Sequence, residues 1–158
     1  MASSIQHEVL AGLRVLCVDD DSDWLEVLAI VLDMHGAVVT TRPSAELAIE
    51  CLTGSVFDVV ISDLAMPPGL DGYDLAHALR KMELEDASRT VTPTLAVSGD
   101  ALRPSQKKRF ADFQAYLSKP LDAEQLVNMV GRLAQANGQA VSFGTLAKYD
   151  EAKRQQQH

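Results

Sequence analysis

Leu13-Arg-Val-Leu-Cys-Val18 runs directly into Asp19-Asp20-Asp21, and the junction between the two decides the fold. The first six residues are short, apolar and rich in β-branched side chains, which is the pattern of a buried strand. Three consecutive acids cannot continue such a strand, because an apolar interior replaces none of the hydration a carboxylate gives up. A strand therefore ends at Val18. Asp23 with Glu26 then forms a capping-box pattern, and Leu25, Leu28, Ala29 and Leu32 follow at helical spacing up to Gly36, a left-handed stop. Strand, acidic loop and amphipathic helix make one βα unit.

The unit repeats outward from this start. Ala37 to Thr40 reads as a second strand, and Ser44 as the N-cap of a helix bearing Leu47, Cys51 and Leu52 up to Gly54. Phe57 to Ile61 is a third strand leading into Ser62 and Asp63. A turn-rich Pro67-Pro-Gly-Leu-Asp-Gly72 follows, then a helix with Leu75, Leu79 and Met82 whose frayed end falls in Glu83 to Thr92. Thr94 to Val97 is strand four. Pro104 and Ser105 open a short fourth helix, and Ala115 to Leu117 is strand five. Asp122 with Gln125 caps a fifth helix through Leu126, Val130 and Leu133. Strands alternating with helices predict an α/β fold: a doubly wound, five-stranded parallel sheet in a three-layer α/β/α sandwich with five helices.

At 158 residues the chain suits one domain. We read residues 1–12 as an N-terminal extension, 13–137 as the domain and 138–158 as a tail in which Val141, Phe143, Leu146 and Tyr149 follow no clean period. A hydrophobic share of 47% with 23% charged residues excludes a disordered chain. The net charge of −8 argues against a nucleic-acid partner, and Arg103 to Arg109, with Lys107 and Lys108, reads as a solvated helix face. No apolar run approaches the ~20 residues of a membrane span, and no leader pattern opens the chain, so no membrane partner and a cytoplasmic location are expected. Cys17 and Cys51 have no metal-ligand spacing and read as core residues in a reducing compartment.

In an open parallel sheet, the residues that terminate strands gather at one edge. Here they are Asp19 and Asp20 after strand one, Asp63 after strand three, Ser98 after strand four and Lys119-Pro120 after strand five. Carboxylates crowded together repel one another, and a divalent cation relieves this. Mg²⁺ suits an all-oxygen site with open positions, Mn²⁺ being the alternative, and Lys119 adds a movable positive charge for phosphate oxygens.

Val18-Asp19-Asp20, Asp63-Leu-Ala-Met-Pro67, Ser98 and Lys119-Pro120, in that order on those strand ends, resemble the receiver domains of two-component response regulators. The resemblance covers about Leu13 to Asn137. It implies the strand order 2-1-3-4-5, which alternation alone does not give. It further implies that Asp63 is the phosphoacceptor and that Asp20 and Asp63 bind Mg²⁺ directly, with Asp19 acting through water and the Ala65 backbone carbonyl supplying another oxygen. Lys119 would stabilise the transferring group. Ser98 and Tyr116 would form the switch, moving the fourth helix, strand five and the fifth helix. The implied partners are a sensor histidine kinase or histidine phosphotransfer protein as donor and a downstream protein target, with homodimerisation left open. The implied role is that of a signalling switch, not a turnover enzyme.

Other residues read as structural. Asp21 and Asp23 suit turn and capping roles, Trp24 suits helix packing, and His7, His35, His77 and His158 show no ligand or nucleophile pattern. The sequence departs from the family in three places. Pro67-Pro68-Gly69 adds a residue between Asp63 and Gly72, Ala65 lacks a polar side chain, and Asp112 stands where Gly is frequent, leaving the approach to strand five open. Two other functions compete: a small haloacid-dehalogenase-type phosphatase with Asp19 as nucleophile, and a binding module that keeps the fold without phosphorylation. No output domain fits after Asn137.

Overall fold

The computed structural model describes residues 9–99 and 109–136. One sheet holds β1 (Arg14–Val18), β2 (Val38–Arg42), β3 (Val59–Ser62), β4 (Thr94–Ser98) and β5 (Ala115–Ser118), all parallel, in the order β2-β1-β3-β4-β5. Among the described residues four helices accompany it, α1 (Ser22–Met34), α2 (Ala45–Gly54), α3 (Gly72–Glu85) and α4 (Ala123–Gln135), with a 3₁₀ turn at Arg109–Asp112 before β5. The helix expected from Pro104 and Ser105, like the tail 138–158, lies outside the described residues, and α4 is the helix that sequence reading counted as the fifth.

The period-2 alternation of the strands distributes the core to both faces. Val15 and Cys17 of β1, Val59 and Ile61 of β3, and Leu95 and Val97 of β4 pack with Leu25, Leu28 and Leu32 of α1 and Leu126, Val130 and Leu133 of α4. Leu16 and Val18 of β1 and Val60 of β3 face Ala45, Ala48 and Leu52 of α2 and Leu75 and Leu79 of α3. Each such valine, leucine or isoleucine contributes roughly 1.5–3 kcal/mol by leaving water. Leu10, fully buried in the first cluster, carries the core back into the stretch read as an N-terminal extension. Cys17 is a core residue as expected, its thiol pushed up to about 12 by burial and so inert as a nucleophile.

Local signals fix most boundaries. Ser44, Asp71 and Asp122 cap α2, α3 and α4 through the amides of Leu47, Asp74 and Gln125, and Asp74 returns a bond to the Asp71 amide. The cap of α1 is Asp21 instead of Asp23: its carboxylate accepts from the amides of Asp23 (3.1 Å) and Trp24 (3.2 Å). Asp23 lies within the first turn, where its charge suits the positive end of the helix. Strand two starts at Val38 because the Ala37 amide closes the end of α1 onto the Leu32 carbonyl, through Gly36 at φ 95°.

At the end of the sheet where the strands begin, Arg80 of α3 ties three elements together. Its guanidinium donates to the carbonyls of Asp112 (3.0 Å) and Thr92 (2.7 Å), to Thr94 Oγ1 (2.6 Å) and Gln114 Oε1 (3.0 Å), and to the carboxylate of Glu83. Asp112, which left the approach to β5 open, thus sits in the 3₁₀ turn with its carbonyl engaged.

Candidate functional site

Strand register brings the acids together. Val18 pairs with Ser62, and the Asp63 amide donates to the Val18 carbonyl at 3.0 Å, so Asp19 and Asp63 leave adjacent strands at the same level. One oxygen each of Asp19, Asp20 and Asp63 lies within 4.8 Å of the others. Asp19 is buried, at 2% exposure; Asp63 is half-buried and Asp20 exposed. Both Asp19 oxygens are engaged, Oδ1 by the Asp21 amide (2.9 Å) and Oδ2 by Lys119 Nζ (2.9 Å). Asp63 Oδ1 accepts from the Leu64 amide at 2.8 Å, while Oδ2 lies 3.8 Å from Lys119 Nζ. Lys119 reaches across the end of β4 to Asp63 and past β3 as well to Asp19, and its own amide donates to the Ser98 carbonyl at 2.8 Å.

Burial raises the Asp63 carboxyl above the ordinary range, with the Asp19 charge adding to it. Lys119 and the amides of Leu64 and Ala65 oppose the rise without cancelling it. Lys119 moves upward as well: burial alone would lower it, but the bond to Asp19 and the charges of Asp63, Asp19 and Asp21 prevail. One ammonium therefore leaves the acidic cluster under-neutralised. That combination suits a pocket that takes up a hard cation and then a phosphoryl group.

The remaining expected residues lie around this centre. Ser98 ends β4 and is buried. Pairing of Ser62 with Ala96 sets Ser98 one residue beyond the level of Asp63 on the neighbouring strand. Tyr116, half-buried on β5, pairs with Ala96, and its ring meets Phe110 edge-on at 6.1 Å. Ala65 follows the acid in an exposed position of the loop. Asp21 caps α1 and Asp23 lies in its first turn. His35 contacts the Val31 carbonyl through Nδ1 (2.8 Å), and His77 lies 3.4 Å from Asp112; neither belongs to the acidic cluster.

Three residues at the site escaped sequence reasoning. Trp24 packs against the core as expected, but Lys119 Nζ also stands 5.2 Å from the centroid of its ring. Its place three residues after Asp21, in the first turn beyond the acidic loop, was the available signal. Gly72 is required by contact: a Cβ there would lie 2.0 Å from the Asp63 carbonyl oxygen and 3.0 Å from Leu64 Cα. Glu46 of α2 reaches the loop that carries the extra residue and accepts from the Leu70 amide at 2.6 Å, a bond that holds its carboxyl below the ordinary range. No sequence pattern announces it.

Comparison with known proteins agrees with this geometry. The family described as response regulator receiver domain matches residues 15–131. An uncharacterized 14.6 kDa protein of the sodA1 3′ region of Leptolyngbya boryana is 31% identical over 124 residues, covering 78% of this chain and 91% of that protein. The sensor protein GacS of Pseudomonas syringae pv. syringae is 30% identical over 118 residues, 74% of this chain; the match spans 13% of GacS. Among solved structures, the receiver domain of sensor histidine kinase PA1611 from Pseudomonas aeruginosa PAO1, with magnesium coordinated in its active-site cleft, superposes with a TM-score of 0.69. It is 24% identical, over 79% of this chain and 99% of that one. The chain belongs to the response regulator receiver domain family.

Proposed function

We propose that residues 13–137 act as a phosphoacceptor unit in which Asp63 takes a phosphoryl group from a phosphohistidine on a sensor histidine kinase or histidine phosphotransfer protein. The observation that carries this reading is the cluster itself: oxygens of Asp19, Asp20 and Asp63 within 4.8 Å, with one ammonium reaching two of the three acids. An all-oxygen donor set whose central carboxyl is pushed toward protonation fits a hard divalent cation. Asp19, Asp20, Asp63 and the Ala65 carbonyl would hold it, Mg²⁺ by preference and Mn²⁺ as a substitute; the related PA1611 domain coordinates magnesium. When bound, the ion neutralises charge on the phosphoryl oxygens.

The chain's own residues do the positioning. An oxygen of the Asp63 carboxylate attacks phosphorus, the bond from phosphorus to the donor's imidazole nitrogen breaks, and its electron pair leaves with that nitrogen. The Leu64 amide bonded to Oδ1 fixes the carboxylate's rotation. Lys119 neutralises an equatorial phosphoryl oxygen. The Ser98 hydroxyl then binds the new group and Tyr116 follows, shifting the population toward the signalling conformation by no more than the difference in interaction energy. The output is a protein target, reached by β5, α4 and the surface beside them, and the domain does not turn over an external substrate. Two free cysteines, one of them in the core, support action in the reducing cytoplasm. Among the described residues, no helix is long and apolar enough to cross a membrane.

The phosphatase alternative needs Asp19 as nucleophile, but Asp19 is 2% exposed with both oxygens engaged, whereas Asp63 is the more accessible acid. Incubation with acetyl phosphate and Mg²⁺ should produce a phosphoprotein, read by phosphate-affinity electrophoresis, that Asp63→Asn abolishes. Absence of product at saturating donor, or label trapped on Asp19, refutes the assignment.

A further inference from the structure

Lys119 faces a conflict that Asp19 cannot resolve alone. Asp19 Oδ1 accepts from the Asp21 amide and Oδ2 from Lys119, so a cation drawing on Asp19 would compete with these bonds. Competition at Oδ2 would weaken the ammonium's shortest contact at the moment the ammonium is needed beside Asp63. Asp63, 3.8 Å away and itself a ligand of that cation, would then hold the flexible four-carbon stem only loosely.

The Trp24 ring is an anchor of a different kind. Lys119 Nζ lies 5.2 Å from its centroid, inside the range over which an aromatic face attracts a cation, and that attraction uses no lone pair a metal ion would compete for. The ring is well placed. The Trp24 amide donates to Asp21 Oδ1 and the Asp21 amide to Asp19 Oδ1, so one short loop carries both holds on the ammonium. The indole N–H is buried and makes no hydrogen bond, so no polar contact accounts for the indole here; its face is what meets a charged group.

We propose that Trp24 is a positioning residue for phosphotransfer, its π-face keeping the Lys119 ammonium over the acidic pocket when Asp19 turns to the cation. The role rests on the phosphotransfer reading given above. The chain has one tryptophan, so growth on mono-, di- and trifluorinated tryptophan alters this ring alone, nearly preserving its shape while draining charge from its face. At saturating Mg²⁺, the rate of phosphorylation by acetyl phosphate should fall stepwise along the series, by about three- to tenfold in all, at constant melting temperature. Trp24→Phe should retain part of the rate and Trp24→Leu least. Should the unsubstituted protein accept the phosphoryl group while the rate stays flat across the fluorinated series, the role of Trp24 falls and the function stands. Should the unsubstituted protein accept none, the proposed function falls and this role with it.

Discussion

Gly72→Ala tests the link between backbone packing and the acidic pocket. The methyl group it adds would meet the Asp63 carbonyl oxygen at 2.0 Å, and the Asp63 carbonyl carbon and Leu64 Cα at 3.0 Å. All three are backbone atoms, so no rotamer change relieves the overlap. Ordinary contact begins near 3.4 Å, so α3 and the end of β3 must part by about an ångström. Overpacking of this kind costs about 1–3 kcal/mol, against at most about 0.5–1 kcal/mol gained by replacing glycine in a helix. A net loss of about 1–2 kcal/mol corresponds to a fall of roughly 3–10 °C in melting temperature for a domain of this size. The displaced residue is Asp63 itself, and Mg²⁺ tolerates little departure from octahedral geometry, so Mg²⁺ affinity should fall by about tenfold or more. Thermal melts with and without Mg²⁺, and Mg²⁺ titration followed by Trp24 emission, measure both effects. Gly54→Ala, where an added Cβ meets nothing within 4 Å, is the control and should be neutral or slightly stabilising. A Gly72→Ala protein that melts and binds Mg²⁺ like its parent refutes the reasoning.

Asp63→Asn should melt higher than its parent in metal-free buffer at pH 7. The folded-state value of Asp63 is raised, so the native protein binds the proton more tightly than the unfolded chain, and stability falls as pH climbs from the unfolded value near 4 through the folded one. The advantage of the variant should shrink as the pH is lowered from the folded value toward about 4 and be gone below it, and a pH-independent difference would contradict this origin. Arg80→Met should destabilise by about 3–5 kcal/mol in chemical denaturation, because Glu83 loses its buried partner and Thr94 and Gln114 lose a donor. Arg80→Lys should not rescue it, since an ammonium cannot reproduce the planar fork. The folded fraction should bind Mg²⁺ normally, and a variant as stable as its parent would show that the network contributes nothing.

Legibility in the sequence followed the range of the forces involved. Asp19 and Lys119, a hundred positions apart, could be placed together because each terminates a strand and parallel sheets gather strand ends at one edge. The caps at Ser44 and Asp122 involve partners three residues away and were readable, whereas the cap at Asp71 lay in a stretch read only as turn-rich. The cap of α1 was misplaced because Asp23 with Glu26 matches the capping box while Asp21, followed three residues on by Trp24, does not, yet it is Asp21 whose backbone is extended and whose carboxylate meets the free amides. The Lys119 to Trp24 stack, the reach of Glu46 to Leu70 and the five-donor role of Arg80 each depend on where a long side chain is sent by its surroundings. No periodicity encodes that.

The position of Lys119 also explains how a pocket so acidic persists in a folded protein without a metal ion. Three carboxylates bring three negative charges, and the ammonium, at 2.9 Å from Asp19 and 3.8 Å from Asp63, offsets one. Burial, with the charge of Asp19 adding to it, lifts the Asp63 carboxyl. On the proposed function, a divalent cation held by these acids would supply the missing charge and would compete with Lys119 for Asp19. The ammonium, 3.8 Å from Asp63, would then be placed to meet a phosphoryl group on that acid. On this account Lys119 first stands in for the cation and then serves the phosphoryl group it makes room for, which requires a lysine, not an arginine, at this position: a compact charge on a flexible stem that can change partners.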